Sequence, residues 1–207
     1  MALYRDQVLP RLQNRLMDLG DSREIRARVC SGLAGDVVEV GFGTGLNLPY
    51  LPPAVAGLWA VDPAVVGRKL SRRRRAEAHV PVVFAGLDGE SLPFPDGRFD
   101  AALSTWTLCT IPDAVQALRE IRRVLKPGGE LHFVEHGLSP DAKVAGWQHR
   151  CTPLQRRVAG GCHLDRDIPA LLESAGFTVT ALDTYYEPAA PRVLGHMYEG
   201  RARPVSS

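Results

Sequence analysis

Apolar positions recur along this chain at two periods, about 3.6 residues and 2 residues, the marks of helices and of strands. Leu9, Leu12, Leu16 and Leu19 keep the longer period and predict an amphipathic helix that ends at Gly20. Asp21 and Ser22 supply caps for a second helix through Val29, closed by Gly32 and Gly35. The β-branched run Val37 to Val40 then predicts a strand that stops at glycines, and Leu58 to Val61 a second that ends at Asp62-Pro63. A polar, arginine-rich helix follows to about His79, then strands at Val80 to Phe84 and Phe99 to Ser104. Asp113 opens a helix with Val115, Leu118, Ile121, Val124 and Leu125 on one face, and Pro127-Gly128-Gly129 closes it before a strand at Glu130 to Glu135. The stretch from Ser139 to Gly160 reads as helical.

The tail has a different rhythm. Phe177 to Tyr186 and Val193 to Arg201 read as strands separated by little more than Glu187-Pro188-Ala189-Ala190-Pro191. A parallel crossover needs a dozen or more residues, so these two can pair directly only as antiparallel neighbours. Strands alternating with helices before them imply βαβ units and a mostly parallel, doubly wound sheet. With no repeat, low-complexity tract or linker, residues 1–207 are expected to form one α/β domain.

Composition narrows the function classes. Charged residues are 23% and the formal net charge is +2, which makes no global case for nucleic acid or a membrane surface as partner. Lys69 and Arg72 to Arg75 form one basic run, expected to be the solvated face of a helix. Cys30, Cys109, Cys151 and Cys162 include no Cys-x-x-Cys pair, which suits a reducing compartment. Arg5, Asp6, Arg11 and Arg15 break up the apolar residues a signal peptide would need, and no stretch reaches the ~20 apolar residues of a membrane span. A cytoplasmic location without an integral membrane segment is the expectation, and the oligomeric state is left open.

The informative stretch is Val37-Val38-Glu39-Val40-Gly41-Phe42-Gly43-Thr44-Gly45. A strand ends, the chain turns on glycines, and a helix is expected to begin near Leu46, which puts bare main chain in the first crevice of a doubly wound sheet. Asp62 ends the next strand, close to the ~20-residue offset of an acid that accepts from ribose hydroxyls; a helix cap before Pro63 is its other reading, and both can hold. The third glycine comes one residue earlier than in the dinucleotide fingerprint Gly-x-Gly-x-x-Gly. Glu39 beside the loop disfavours a phosphate and favours an ammonium, directly or through water. S-adenosylmethionine has an ammonium, a sulfonium and no phosphate, so the loop argues for it over NAD. Asp88-Gly89-Glu90 after the third strand can serve the adenine, or Asp88 can simply form a local turn.

Together these motifs resemble the class I S-adenosylmethionine-dependent methyltransferases of the methyltransferase type 11 domain kind. Glu39 to Gly45 is similar to their first motif, Asp62 to their ribose acid, Asp88 to Glu90 to their adenine-side motif, and Leu125 to Gly129 to their late-helix signature. The resemblance implies a Rossmann-like, three-layer αβα fold around a seven-stranded, mostly parallel sheet with an antiparallel last strand. It implies cofactor contacts from Glu39, Gly41, Phe42, Gly43, Thr44, Gly45, Asp62, Pro63, Asp88, Gly89, Glu90 and Ser104, with S-adenosylhomocysteine as product. Thr107-Leu108-Cys109, Phe133-Val134-Glu135-His136 and Gly161-Cys162-His163-Leu164 with Arg166 resemble, more narrowly, the methyltransferase-like 7 group of thiol methyltransferases. That group has an N-terminal membrane anchor that this sequence is not expected to share.

Methyl transfer is an in-line displacement at a carbon the sulfonium has already activated, so the protein supplies position and electrostatics. His136 is the expected base, because an imidazole titrates near neutrality, with a structural bond to a loop carbonyl as its other reading. Trp106 and Trp147 are candidates for the wall of an apolar acceptor pocket, and Cys109 for a buried filler. His149, Cys151, Cys162 and His163 are suitable zinc ligands, but their spacing matches no common structural site, and no metal is expected. Residues 1–35 and the 139–160 stretch are expected to cover the acceptor, a small molecule such as a thiol or another lipophilic compound. A quinone or lipid-precursor methyltransferase acting on carbon or oxygen, a non-catalytic cofactor-binding module, and a macromolecular methyltransferase are the alternatives. The last is disfavoured by the lack of an Asn/Asp-Pro-Pro-Tyr/Phe tetrapeptide.

Overall fold

The computed structural model describes residues 21–188 and 190–205, together with Arg11 and Asn14. The helix expected from Leu9, Leu12, Leu16 and Leu19 lies outside the described residues. From there the chain runs α1 (Asp21–Cys30), β1 (Gly35–Val40), a short 3-10 turn (Leu48–Tyr50), β2 (Val55–Val61), α2 (Val65–Leu70), α3 (Arg72–Glu77), β3 (Val82–Gly86) and β4 (Phe99–Thr105). It continues through α4 (Ala114–Val124), β5 (Leu125–His136), α5 (Ala142–Val158), α6 (Ile168–Ser174), β6 (Phe177–Tyr186) and β7 (His196–Pro204).

The seven strands form one sheet in the order β3-β2-β1-β4-β5-β7-β6. The first five are mutually parallel, and β7 is antiparallel to both β5 and β6. The expected Rossmann-like fold with an antiparallel last strand is what the chain adopts.

Period-2 alternation explains the three layers. On β1, Val37 faces one apolar cluster while Val38 and Val40 face the other; on β5, Val134 faces the first, and Leu131 and Phe133 the second. Both sheet faces are therefore buried, one beneath α1 and the 3-10 turn, the other beneath α4 and α6. Helix α4 starts where its cap predicts, with Asp113 Oδ1 accepting from the Gln116 amide at 2.9 Å. Its Leu118, Ile121 and Val124 are fully buried.

Three expectations are corrected. The chain passes directly from α4 into β5, which begins at Leu125, so Pro127-Gly128-Gly129 forms a bulge within the strand, between the Leu125–Phe99 pair and the ladder that resumes at Glu130 opposite Ala101. β3 and β7 each sit further along the chain than their apolar runs suggest, because strand pairing, not local composition, sets their ends. The basic run is only partly a solvated face, since Arg75 and its neighbour Arg68 stack over Phe84 at 5.0 and 4.4 Å from the ring centroid. Among the described residues, no helix is long and apolar enough to cross a membrane.

Leu118→Ala empties a closed site in the core and is expected to cost about 2–5 kcal/mol in urea unfolding. Trp147→Ala, on a side chain 56% exposed, should stay within about 0.5 kcal/mol. Equal effects from the two would mean that the core is assigned to the wrong layer.

Candidate active site

Where the strand order reverses between β1 and β4, the carboxyl ends of the strands surround a cavity of about 1020 Å3. Ligand sites in doubly wound sheets form at this switch point. One wall is made of residues 40–44 and 46–47 after β1, 61–64 after β2 and 87–90 after β3. The other is made of residues 105–107 and 109–112 after β4, His136 at the end of β5, and parts of the 153–163 segment that ends α5.

The first wall turns on glycine. Gly41, Gly43 and Gly45 have φ values of +85°, +56° and +74°, in the left-handed region that side chains disfavour. A Cβ built on Gly41 would run into Thr107, whereas one on Gly43 would meet nothing nearer than the Gly41 carbonyl at 4.0 Å. Gly41 thus permits the close approach of the β4 loop, and Gly43 leaves main chain bare toward the cavity. Asp62 holds this loop in place, its Oδ2 accepting from the Gly43 amide at 2.7 Å and its Oδ1 from the Ala64 amide at 2.6 Å. Burial raises the Asp62 pKa, and these two amides pull it back. The carboxylate braces the turn and borders the cavity without capping the next helix, whose N-cap is Ala64, and each oxygen keeps a lone pair for a hydroxyl donor.

Glu39 stands one layer behind the wall. Its Oε1 accepts from Asn47 Nδ2 at 2.7 Å, while its Oε2 is buried without a partner. Burial pushes this carboxyl up to about 8, against the pull of Asn47 and of Arg26. Arg26 donates to Asn47 Oδ1 at 2.6 Å and lies over the Trp106 ring at 4.7 Å. Asn47, which lines the cavity, therefore bridges Glu39 and Arg26.

The second wall hangs on Glu135, which is fully buried. Its Oε1 accepts from Ser104 Oγ at 2.9 Å and from the Thr107 and Leu108 amides at 3.0 and 2.9 Å, and its Oε2 from the Cys109 amide at 3.2 Å. Burial raises the Glu135 pKa, and those donors oppose it. From the other side, Arg166 bonds the Leu108 carbonyl and reaches the Pro112 carbonyl at 3.0 Å, and the His163 amide donates to the Cys109 carbonyl at 2.8 Å. Trp106, the single non-glycine with positive φ among the described residues, turns this loop at φ 50°. The result brings Cys109, His136 and Cys162 together, with their ligating atoms all within 4.8 Å of one another. The Cys109 thiol is held well above its ordinary pKa by its hydrogen bond with Cys162 and by burial, and the same bond lowers Cys162.

Of the expected site residues, Gly41, Phe42, Gly43, Thr44, Asp62, Pro63, Asp88, Gly89, Glu90 and His136 line the cavity together. Gly45 does not face it, and Ser104 is turned to Glu135. Asp88 Oδ1 accepts from the Glu90 amide at 2.8 Å in a local turn, and Glu90 Oε1 accepts from the Asp113 amide at 2.9 Å. Trp106 lines the wall as expected, but Trp147 is exposed, beneath Arg150. Of the four residues weighed for zinc, His149 instead faces Asp165 at 3.0 Å, and His163 Nδ1 lies 3.2 Å from the Cys109 carbonyl. Arg26, Asn47 and Glu135 are contributions that sequence spacing does not reveal.

These residues suit an adenosyl amino acid: a bare glycine cradle, Asp62 for hydroxyl donors, and the orphaned Glu39 oxygen behind Asn47 for a cation. Comparison with known proteins agrees. The methyltransferase domain family matches residues 38–133. Thiol S-methyltransferase TMT1B of Homo sapiens is 30% identical, over 93% of this chain and 83% of its own. The ubiquinone/menaquinone biosynthesis C-methyltransferase UbiE of Geobacter sp. (strain M21) is 32% identical, over 60% of this chain and 57% of its own. The crystal structure of a SAM-dependent methyltransferase from Aquifex aeolicus superposes with a TM-score of 0.63 at 18% identity, covering 93% of this chain and 97% of that one.

Asp62→Ala should weaken S-adenosylmethionine binding roughly 10–100-fold, the equivalent of about 1.5–3 kcal/mol for hydrogen bonds to a charged group. Calorimetry giving an unchanged Kd would remove Asp62 from the site. Glu39 yields a stability test. A carboxyl at 4.5 when unfolded and about 8 when folded binds its proton more tightly in the fold. Its contribution to stability is therefore lost as pH rises through that interval and levels off above it. In the cofactor-free protein, Glu39→Gln should shrink the drop in Tm between the two ends of that range by at least about 2 °C, the equivalent of 1 kcal/mol or less at this size. An unchanged drop would mean that Glu39 is ionised at no cost.

Proposed function

The chain belongs to the class I S-adenosylmethionine-dependent methyltransferases, close to their thiol S-methyltransferase group, and from that premise we propose that it methylates small lipophilic thiols on sulfur. The observation that carries this reading is the chemistry of the second wall. Its lining titratable groups are His136, His163, Cys109 and Cys162, flanked by Arg156 and Arg157, while the Glu135 carboxylate lies behind them with its oxygens occupied by Ser104 and three loop amides. Cationic groups favour a thiolate, and a thiol ionises near pH 8.5 unaided, so a weak base is enough. Trp106 and Ile111 add apolar surface for the rest of such an acceptor.

When bound, S-adenosylmethionine supplies a methyl carbon already activated by its sulfonium. Gly41 to Thr44, Asp62 and Asn47 hold its adenosyl and amino-acid parts in this reading, with Glu39 adding charge from behind. Asp88 and Gly89 serve the adenine. His136 takes the acceptor's proton, and the braced 105–112 loop orients the sulfur. Asn14 accepts from Thr44 Oγ1 at 2.7 Å and from Arg74 Nη1 at 3.0 Å and lines the cavity. That contact supports residues 1–35 as a cover over the site. The free state of all four cysteines supports a reducing, cytoplasmic setting. The similarity to UbiE favours one second reading, carbon methylation of a quinone precursor.

Turnover of labelled cofactor against alkyl thiols, phenols and quinone precursors separates the two. Alkyl thiols should give S-methyl products, and His136→Ala should slow them by about 10²-fold or more while cofactor binding is kept. Removing residues 1–20 should harm turnover more than cofactor binding. Carbon methylation of a quinone precursor with inert thiols would overturn the thiol assignment.

A further inference from the structure

We propose that Cys109, His136 and Cys162 form a three-ligand site for a thiophilic divalent cation, zinc above all, with a fourth coordination position open to the cavity. The three residues lie 27 and 26 positions apart and come from separate elements: the loop after β4, the end of β5, and the segment after α5. The fold alone gathers them. Around tetrahedral zinc, with bonds of about 2.0–2.3 Å, ligand atoms stand roughly 3.5–3.8 Å apart. A trio mutually within 4.8 Å closes on such an ion with small side-chain movements. Two cysteines and one histidine, with a position left over, is also the donor set of a catalytic rather than a structural zinc site.

Two further observations point to a ligand. His136 Nδ1 is buried and has no hydrogen-bond partner, which costs free energy unless something binds there. The surroundings also hold the ligands as an outer shell holds a metal site: Glu135 accepts from the Cys109 amide, while the His163 amide donates to the Cys109 carbonyl. Two thiolates balance a divalent charge, so an ion there adds no net charge to a wall that already holds Arg156 and Arg157. All three ligands border the cavity, so the open position faces it.

Binding of the ion does not depend on the acceptor; only its use on a thiol rests on the proposed function. In that use the acceptor thiol exchanges its proton for the cation, and the proton leaves to solvent. The acceptor sulfur then forms a bond to the methyl carbon as the bond from that carbon to the sulfonium breaks. The electron pair of the broken bond stays on the departing thioether. His136 then acts as a ligand, and the cation displaces the proton that the imidazole would otherwise accept.

The test is metal analysis of the full chain, expressed with zinc and purified without a histidine tag, beside cobalt replacement monitored by sulfur-to-cobalt charge-transfer absorption. The wild type should retain about one zinc per chain and show the cobalt band, as a site with thiolate ligands must. Cys109→Ser and Cys162→Ser should each lose at least about four-fifths of the zinc and most of the band, while calorimetry with S-adenosylhomocysteine shows them folded. Wild-type protein without zinc and without the band would overturn the proposal, even if thiols turn over. Undiminished metal in both variants would also overturn it, as would a Cys109–Cys162 disulfide in protein purified without reductant. Stoichiometric zinc lost in the variants, with inert thiols, would sustain the site and sink only the thiol reading.

Discussion

Both walls of the cavity depend on one device: a carboxylate at a strand end that accepts main-chain amides of the neighbouring loop. Asp62, after β2, fixes the glycine loop after β1; Glu135, on β5, fixes the loop after β4. Each carboxylate is taken out of water, which disfavours its charge, and each recovers part of that cost from amides that would otherwise lack partners. The amides gain as well, since loops at strand ends have no ladder to satisfy them. What positions the chemistry is therefore hydrogen bonding to buried charge rather than loop packing, and it acts across adjacent parallel strands.

Such a site opposes the stability of the cofactor-free fold. Glu39, Asp62 and Glu135 all have raised pKa values with burial as the first cause, and the Glu39 Oε2 and His136 Nδ1 atoms lack partners altogether. Two apolar clusters, one on each face of the sheet, offset these costs. Unsatisfied groups concentrated at one end of the sheet are what a cavity waiting for ligands requires, and a ligand that satisfies them stabilises the fold by mass action.

Most of the first wall was legible in the sequence because its signals are local. Glycines within five residues, an acid at the end of the next strand and the cap at Asp113 each act over a short stretch of chain. The resemblance had named most residues of the second wall, but not how they meet, because its contacts join distant residues: Ser104 to Glu135, and Cys109 to Cys162; in the first wall the Arg26 to Asn47 bond is illegible for the same reason. Spacing drew attention to His149, Cys151, Cys162 and His163, which are near in sequence, yet the fold sends His149 to Asp165 and gathers Cys109 and His136 around Cys162. Trp147 misled for a related reason. Its helix carries Leu154 and Val158 exposed as well, so apolar character there does not mark the inward face. The run Pro127-Gly128-Gly129 resembles a helix end and does follow one, and it bulges out of the ladder: Leu125 pairs with Phe99, and pairing with β4 resumes only at Glu130, opposite Ala101.

The distribution of charge between the two walls constrains how methyl transfer can be accelerated here. Asp62, Asp88 and Glu90 line the cofactor wall together with the cation Arg26, while Arg156, Arg157, His136 and His163 line the opposite one. A cationic sulfonium and an anionic thiolate would each rest against the wall of opposite sign. Their reaction annihilates both charges, so the transition state carries less charge than the bound reactants. The walls then favour the ground state at least as much as the transition state, and by themselves they tighten binding rather than raise kcat. The acceleration has to come from alignment: donor and acceptor held in line at near-contact distance, which can lower a barrier by roughly 7–11 kcal/mol. That places the demand on rigidity, and it accounts for a wall braced from both sides, by Glu135 on its amides and by Arg166 and His163 on its carbonyls. For the proposed thiol acceptor it also accounts for release, because both products would be uncharged at the reacting sulfurs and lose the attraction that drew the reactants in.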